Sequence, residues 1–448
     1  MEPSADALPV AKRARTAPGQ RRFPIGDTLV TILSFCEAEH LLGVARNVCR
    51  GWREAISKDP HAWPRMVVLF SKPSLALSLM PRVLSRCDRL SLFSGGSIPS
   101  GTLPQFPRVR RMTVDCDPTG IEETLAACPS ATALYLVQSL PRVFAGVDML
   151  AYLLGRTQLR SLRLKCDCAF DVVPALPSAP HIEALHIRWV NQCSLDLIRA
   201  CPNLCRLYIR SDFDRPSLAD LCLYKLELLE IDGYNTGTLG FIERLPSLAH
   251  LSVKYEPLLE EAITRIGKGL KTLHLHGTLA DEVYTRILGA TGGLEELSVE
   301  PVTGEGVRTV AASLPPTLRR LRIKQFFMDR DTASAIVRRC PLLENLQFLA
   351  KMDDPIRGAL SELGRNLVTV DVLDFGTANL SALAESCPRL EMIRALCGPV
   401  REARGLVGRW ASGCYALCRA HKVAGARADW YIPSNHSLFA RFEDEGAR

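Results

Sequence analysis

The sequence predicts an α/β chain in which a short helical module is followed by a curved array of strand–helix repeats, with parallel strands lining the inner side. Three observations predict it. An apolar pattern recurs every 22 to 25 residues from Leu159 onward. In each copy the last two apolar positions are two apart, as one face of a strand requires, and the residues that follow change to helical spacing. Residues 23–64 do not follow the repeat and carry two apolar stripes of helical period instead.

Residues 1–22 are polar and basic, with Lys12, Arg13, Arg15, Arg21 and Arg22 outweighing Glu2 and Asp6. They are expected to be a disordered tail. The cluster Lys12-Arg13-Ala14-Arg15 reads first as part of a solvated basic tail, with a nuclear import signal as the lower-ranked alternative. No apolar stretch stands behind this segment, so no secretory leader is expected, and the cytoplasm or nucleus is the expected location. The sixteen cysteines are then expected as thiols. No pair of CxxC motifs argues for zinc. The longest apolar run, Met66 to Met80, is broken by Lys72 and Pro73 and falls short of a membrane span. The net charge of +7 and the 47% hydrophobic content are those of a chain able to bury a core.

The module at 23–68 reads as a few short helices. Leu29, Ile32, Leu33 and Cys36 form one stripe, and Ala45, Val48, Cys49, Trp52 and Ile56 another. Roughly forty residues cannot build a robust core alone, so the module is expected to lean on a partner or on the repeats.

Residues 69–396 hold about fourteen copies of the repeat. Strong copies open at Leu159, Ile182, Leu204, Leu226, Leu248, Leu270, Leu294, Leu318, Leu343, Leu367 and Leu390, and weaker ones at Cys87, Val109 and Ala131. The long step from Ala131 to Leu159 marks an insertion. Ser194 and Asp331 are expected to cap helices. Cys128-Pro129, Cys201-Pro202, Cys340-Pro341 and Cys387-Pro388 each end a helix and reset the chain, the cysteine serving as a small buried hydrophobe. A unit this small cannot cover its own apolar face, so copies must stack. Residues 397–448 depart from the repeat and are expected to form a cap and tail. There Cys414, Cys418 and His421 have the spacing of one helix face, read as a buried capping stripe rather than a zinc site.

The third, fifth and seventh positions of each copy are expected to point away from the core. They form two basic zones: Arg163, Lys165, His186, Arg188, Arg206, Tyr208 and Arg210, then Arg320, Arg322 and Lys324. Acids fall between them at Glu230, Asp232, Glu296 and Glu300. The basic zones are the candidate substrate-binding surface, suited to an acidic or phosphorylated protein segment, with a solvated charged face as the alternative. Aromatic interleaving is slight, which ranks nucleic acid lower as a partner. His250, His274 and His276 are expected to be ordinary surface histidines, with no carboxylate or cysteine sharing the cluster. No nucleotide-binding glycine loop, hydrolase elbow or metalloprotease helix occurs, so neither a catalytic residue nor a cofactor is expected.

The helical module carries a resemblance. Phe23-Pro24, Leu29-Val30-Thr31-Ile32-Leu33-Ser34-Phe35, Leu41-Leu42, Val48-Cys49-Arg50-Gly51-Trp52-Arg53 and Asp59-Pro60-His61-Ala62-Trp63 follow one another as in an F-box, a resemblance that implies three helices. Phe23 stands where that family has leucine, and the gap after Leu42 is slightly stretched. The repeats resemble the cysteine-containing leucine-rich class commonly fused to F-boxes. The combination implies a substrate-recognition subunit of an SCF-type ubiquitin ligase. Its F-box would dock on a small adaptor, and through it on a cullin, while the repeats hold a target protein. By matched position, Pro24, Leu29, Ile32, Leu33, Leu41, Leu42, Val48 and Trp52 would make or present the adaptor contact. Ubiquitin transfer would then gain from tethering alone, with no catalytic residue in this chain. The alternatives are a leucine-rich scaffold or signalling protein outside any ligase and, ranked lower, a nucleic-acid-binding solenoid.

Overall fold

The structure, a computed structural model, describes most of residues 105–372, the strands at 89–93, 392–395 and 415–418, and short stretches beside them. The basic tail and the whole F-box-like module, including Pro24 through Trp52, lie outside the described residues. The chain divides into two compact units, Met1–Ser130 and Ala131–Arg448.

In the first unit, β1 (Arg89–Phe93) and β2 (Arg111–Asp115) pair in parallel with Leu90 opposite Met112, and α1 (Pro118–Ala127) follows. Leu90, Met112, Val114, Ile121 and Leu125 are buried. The weak copies opening at Cys87 and Val109 therefore follow the repeat's strand pattern.

The second unit begins with β3 (Ala133–Val137), α2 (Val147–Leu154), β4 (Ser161–Lys165), β5 (Ala184–Ile187), α3 (Gln192–Arg199) and β6 (Arg206–Arg210). It continues through β7 (Leu228–Asp232), α4 (Leu239–Ile242), β8 (His250–Lys254), α5 (Leu259–Ile266), β9 (Thr272–His276) and α6 (Asp281–Ala290). Then come β10 (Glu296–Val299), α7 (Gly304–Ser313), β11 (Arg320–Ile323), α8 (Arg330–Arg339), β12 (Asn345–Phe348) and α9 (Asp354–Leu363). The strands β13 (Thr369–Val372), β14 (Met392–Ala395) and β15 (Tyr415–Cys418) complete it. The 13 strands form a parallel sheet in which each lies beside its predecessor in sequence. That order is what stacking of equal units produces.

One row of apolar residues fixes the register. Leu134, Leu162, Leu185, Leu207, Leu229, Leu251, Leu273, Leu297, Leu321, Leu346, Val370 and Ile393 lie side by side with no slip. From Leu134 to Val370 each is at most 2% exposed. A one-residue shift would turn this whole row to the other face of the sheet. Burial of each such side chain stabilises by about 1.5–3 kcal/mol, which makes the shifted state inaccessible.

The Cys-Pro corners behave as expected. Cys128, Cys201, Cys340 and Cys387 are buried, and burial pushes the thiols of the first three up to about 12. After the proline the chain turns back: the amides of Leu204, Leu343 and Leu390 donate to the carbonyls of Cys201, Cys340 and Cys387 at 3.3, 3.0 and 3.0 Å. Neighbouring copies are also stapled at these corners. Asn203 Nδ2 donates to the Pro180 carbonyl at 2.8 Å, and Asn366 Nδ2 to that of Pro341 at 2.7 Å.

Three local expectations are corrected. Asp329, not Asp331, caps α8 by accepting from the Thr332 amide at 2.8 Å, and Asp331 falls in the first turn. Met328, just ahead of the cap, is buried. Ser194 lies buried inside α3, which starts at Gln192. Tyr415–Cys418 is a strand rather than part of a helix, pairing in parallel with β14 so that Met392 faces Tyr415. The strand pattern thus extends one copy beyond Ala395; Cys414 and His421 lie outside the described residues. Among the described residues no helix is long and apolar enough to cross a membrane.

Candidate functional site

The strand residues that alternate with the leucine row form the polar face of the sheet. Parallel pairing without slip brings equivalent positions of successive copies together. Most of the expected binding residues therefore share one face. Arg163, Arg206, Tyr208, Arg210, Arg320, Arg322 and Lys324 all stand on it or at its border. Lys165 occupies β4 in register with Val137, without a description of its side chain, and Arg188 lies outside the described residues.

The two basic zones differ in kind. In the first, planar groups stack along a single row of register, Tyr135, Arg163, His186 and Tyr208. The Arg163 guanidinium lies over the Tyr135 ring at 4.4 Å from its centroid, and the His186 and Tyr208 rings stack at 3.8 Å. Burial, followed by the charges of Arg163 and Arg210, lowers His186 well below the ordinary histidine range. It is neutral at physiological pH and contributes no charge to the zone. Burial likewise raises the Tyr208 phenol, with Asp232 and Glu230 adding to the rise. Arg210 Nε reaches Asp232 Oδ2 at 3.5 Å on the neighbouring strand. Tyr208 packs with Ala184 and Leu228 in a small buried apolar cluster on this face.

The second zone is neutralised from within. Glu296 Oε1 lies 3.1 Å from His274 Nε2, and Glu296 Oε2 accepts from Arg320 at 3.3 Å. Glu300 pairs with Lys324 and lies 3.2 Å from His276 Nδ1, which is itself 3.1 Å from Lys324 Nζ. Glu300 Oε2 also accepts from the amide of Gly277 at 3.2 Å. Gly277 has φ +99°, a conformation open to glycine, which aims its N–H at that carboxylate. Burial pushes Glu300 up, but the His276 contact together with the charge and hydrogen bond of Lys324 overcome it and hold the carboxyl at about 2. On the adjoining strands, His276 Nε2 lies 3.2 Å from Ser252 Oγ and His250 Nδ1 lies 2.9 Å from Thr272 Oγ1.

The expectation that no carboxylate shares the histidine cluster is thus corrected. Glu296 and Glu300 arrive from the next copy, Glu296 diagonally across from His274, whose register partner is Ser298, a relation visible only once the strands are laid in register. Among the described residues no set of three or more histidine, cysteine, aspartate or glutamate side chains is placed to hold a metal ion. Tyr135 was also missed. Reading the fifth position of the weak copy that opens at Ala131 would have found it.

No protein-family description matches the chain, and no curated protein does. Solved structures do align with it. An internalin of Listeria monocytogenes aligns at 12% identity and TM-score 0.32, over 69% of this chain and 87% of that one. A leucine-rich-repeat protein of Leptospira interrogans aligns at 14% and 0.33, over 72% and 92%. A chain from the Toll–Spatzle complex of Drosophila aligns at 12% and 0.40, over 76% and 52%. At such scores none of them carries an argument about what this chain binds.

The repeated unit is a leucine-rich repeat. That statement rests on the chain's own spacing, strand pairing and buried leucine row, and it leaves the polar face as the surface on which function must be sought.

Proposed function

We propose that this chain is the substrate-recognition subunit of an SCF-type ubiquitin ligase, its F-box-like module engaging the adaptor and its repeats a target protein. The observation that carries the reading is a juxtaposition within one chain. The ordered set from Phe23-Pro24 to Asp59-Pro60-His61-Ala62-Trp63 stands directly ahead of a leucine-rich array whose register does not slip. A broad polar face with stacked arginine and aromatic groups suits a macromolecular partner better than a small substrate. No catalytic group is needed in this chain. Holding target and charged ubiquitin carrier on one scaffold makes their encounter effectively intramolecular.

The test is co-purification of the adaptor and cullin with the intact chain. The expected result is a stoichiometric complex that is lost when residues 23–64 are deleted. A folded full-length chain with no affinity for purified adaptor would overturn the reading and leave a leucine-rich scaffold outside any ligase. Retention on single-stranded nucleic acid that weakens steeply with salt would instead favour a nucleic-acid-binding array.

A further inference from the structure

The two basic zones are of similar composition but not of similar availability. Glu296 holds Arg320 and Glu300 holds Lys324, so these two cations of the second zone already have carboxylate partners in the adjoining repeat. In the first zone Arg163 rests on the face of Tyr135. Stacking fixes the guanidinium plane and leaves its edge, the fork that accepts a carboxylate through two parallel hydrogen bonds, free of the ring. Two strands away, Arg210 forms an ion pair with Asp232 at 3.5 Å in which both side chains are solvent-exposed, a contact that water screens and that an incoming carboxylate can share. Between the two arginines lies the buried, uncharged His186–Tyr208 stack, which adds no charge of its own and excludes water beneath the arginines. The nearby acids limit what can bind. Glu230 and Asp232 oppose a phosphate dianion more strongly than a carboxylate monoanion.

Building on the reading above, we propose that the β4–β6 part of the polar face, centred on Arg163, Arg210 and the His186–Tyr208 stack, docks a carboxylate-rich segment of the target protein. The Glu296–Glu300 part does not take part in this contact. The span from β4 to β6 is about 10 Å, which two carboxylates of one extended segment cover.

The probe is a short fluorescein-labelled peptide alternating glutamate and glycine, with glutamine, phosphoserine and single-stranded oligonucleotide counterparts, titrated into the full chain by anisotropy. The glutamate peptide is expected to bind and the glutamine peptide not to. Arg163→Gln is expected to weaken binding by about tenfold or more. Arg163→Lys keeps the charge but not the fork and is expected to fall between; it serves as the readout if the glutamine variant does not fold. Arg320→Gln is expected to leave binding unchanged. Equal binding of glutamate and glutamine peptides, equal losses at Arg163 and Arg320, or tighter binding of the phosphoserine peptide or the oligonucleotide would each overturn the inference. Adaptor co-purification on the same preparations separates the two ideas. Peptide selectivity lost with the adaptor still bound sinks this inference alone; the reverse sinks the ligase reading alone.

Discussion

Glu300 touches a lysine from the following copy and, from the preceding one, a histidine and the backbone amide next to it. Its carboxyl is held below the ordinary value of 4.5, at about 2. A depressed carboxylate contributes stability that is fully present above the unfolded-state value and is lost as pH falls through the folded-state one. The urea midpoint is therefore expected to drop between about pH 4.5 and 2, and the Glu300→Gln variant to show a flatter profile across that window. Cysteines give a second check at this scale. Cys128, Cys201 and Cys340 are buried with thiols near 12, while Cys222 is exposed. Peptide mapping after brief alkylation of the native protein should find Cys222 modified and the other three intact. Sequence alone placed the charges on the correct face. It could not pair them, because Glu296 and Glu300 meet His274 and His276 only across strands whose alignment the fold supplies.

At the scale of the strand, the leucine row was legible because its spacing is strict and its alternative register is so costly. Leu273, which is wholly buried, is the natural test: Leu273→Ala should lower unfolding free energy by about 2–5 kcal/mol by denaturant titration. Helix starts were less legible. Asp329-Arg330-Asp331 offers two equivalent capping residues, and only the backbone path, which brings the Thr332 amide to Asp329, separates them. Asp329→Ala should cost about 0.5–2 kcal/mol, whereas Asp331→Ala should cost only a few tenths, the worth of a charge near a helix start. Tyr415–Cys418 was misread for a different reason. Two cysteines four apart match a helix face, while the intervening Tyr-Ala-Leu matches a strand just as well, and only pairing with β14 decides.

At the scale of the molecule, parallel strands in sequence order make the second unit a chain of nearest-neighbour contacts. Removing one whole period should then be tolerated where removing a fraction is not. Deleting residues 272–295 joins Lys271 to Glu296, the register partner of Thr272, and should leave a folded protein with a lower melting midpoint. Deleting 272–283 shifts the register and should abolish the cooperative melt. The period of the strands was visible in the sequence because every copy must solve the same burial problem, whereas the last strand, Tyr415–Cys418, and the contacts across the polar face were not. The stacked row beginning at Tyr135 and the neutral His186 depend on neighbours from separate copies. The Gly277–His276–Glu300–Lys324 cluster has a further consequence, for how such a chain drifts over generations. Replacing any one of its members strands charge or an amide in a poorly solvated place, so these positions should change together or not at all. Arg163 rests on the ring of Tyr135, outside that cluster, and its replacement strands none of those groups.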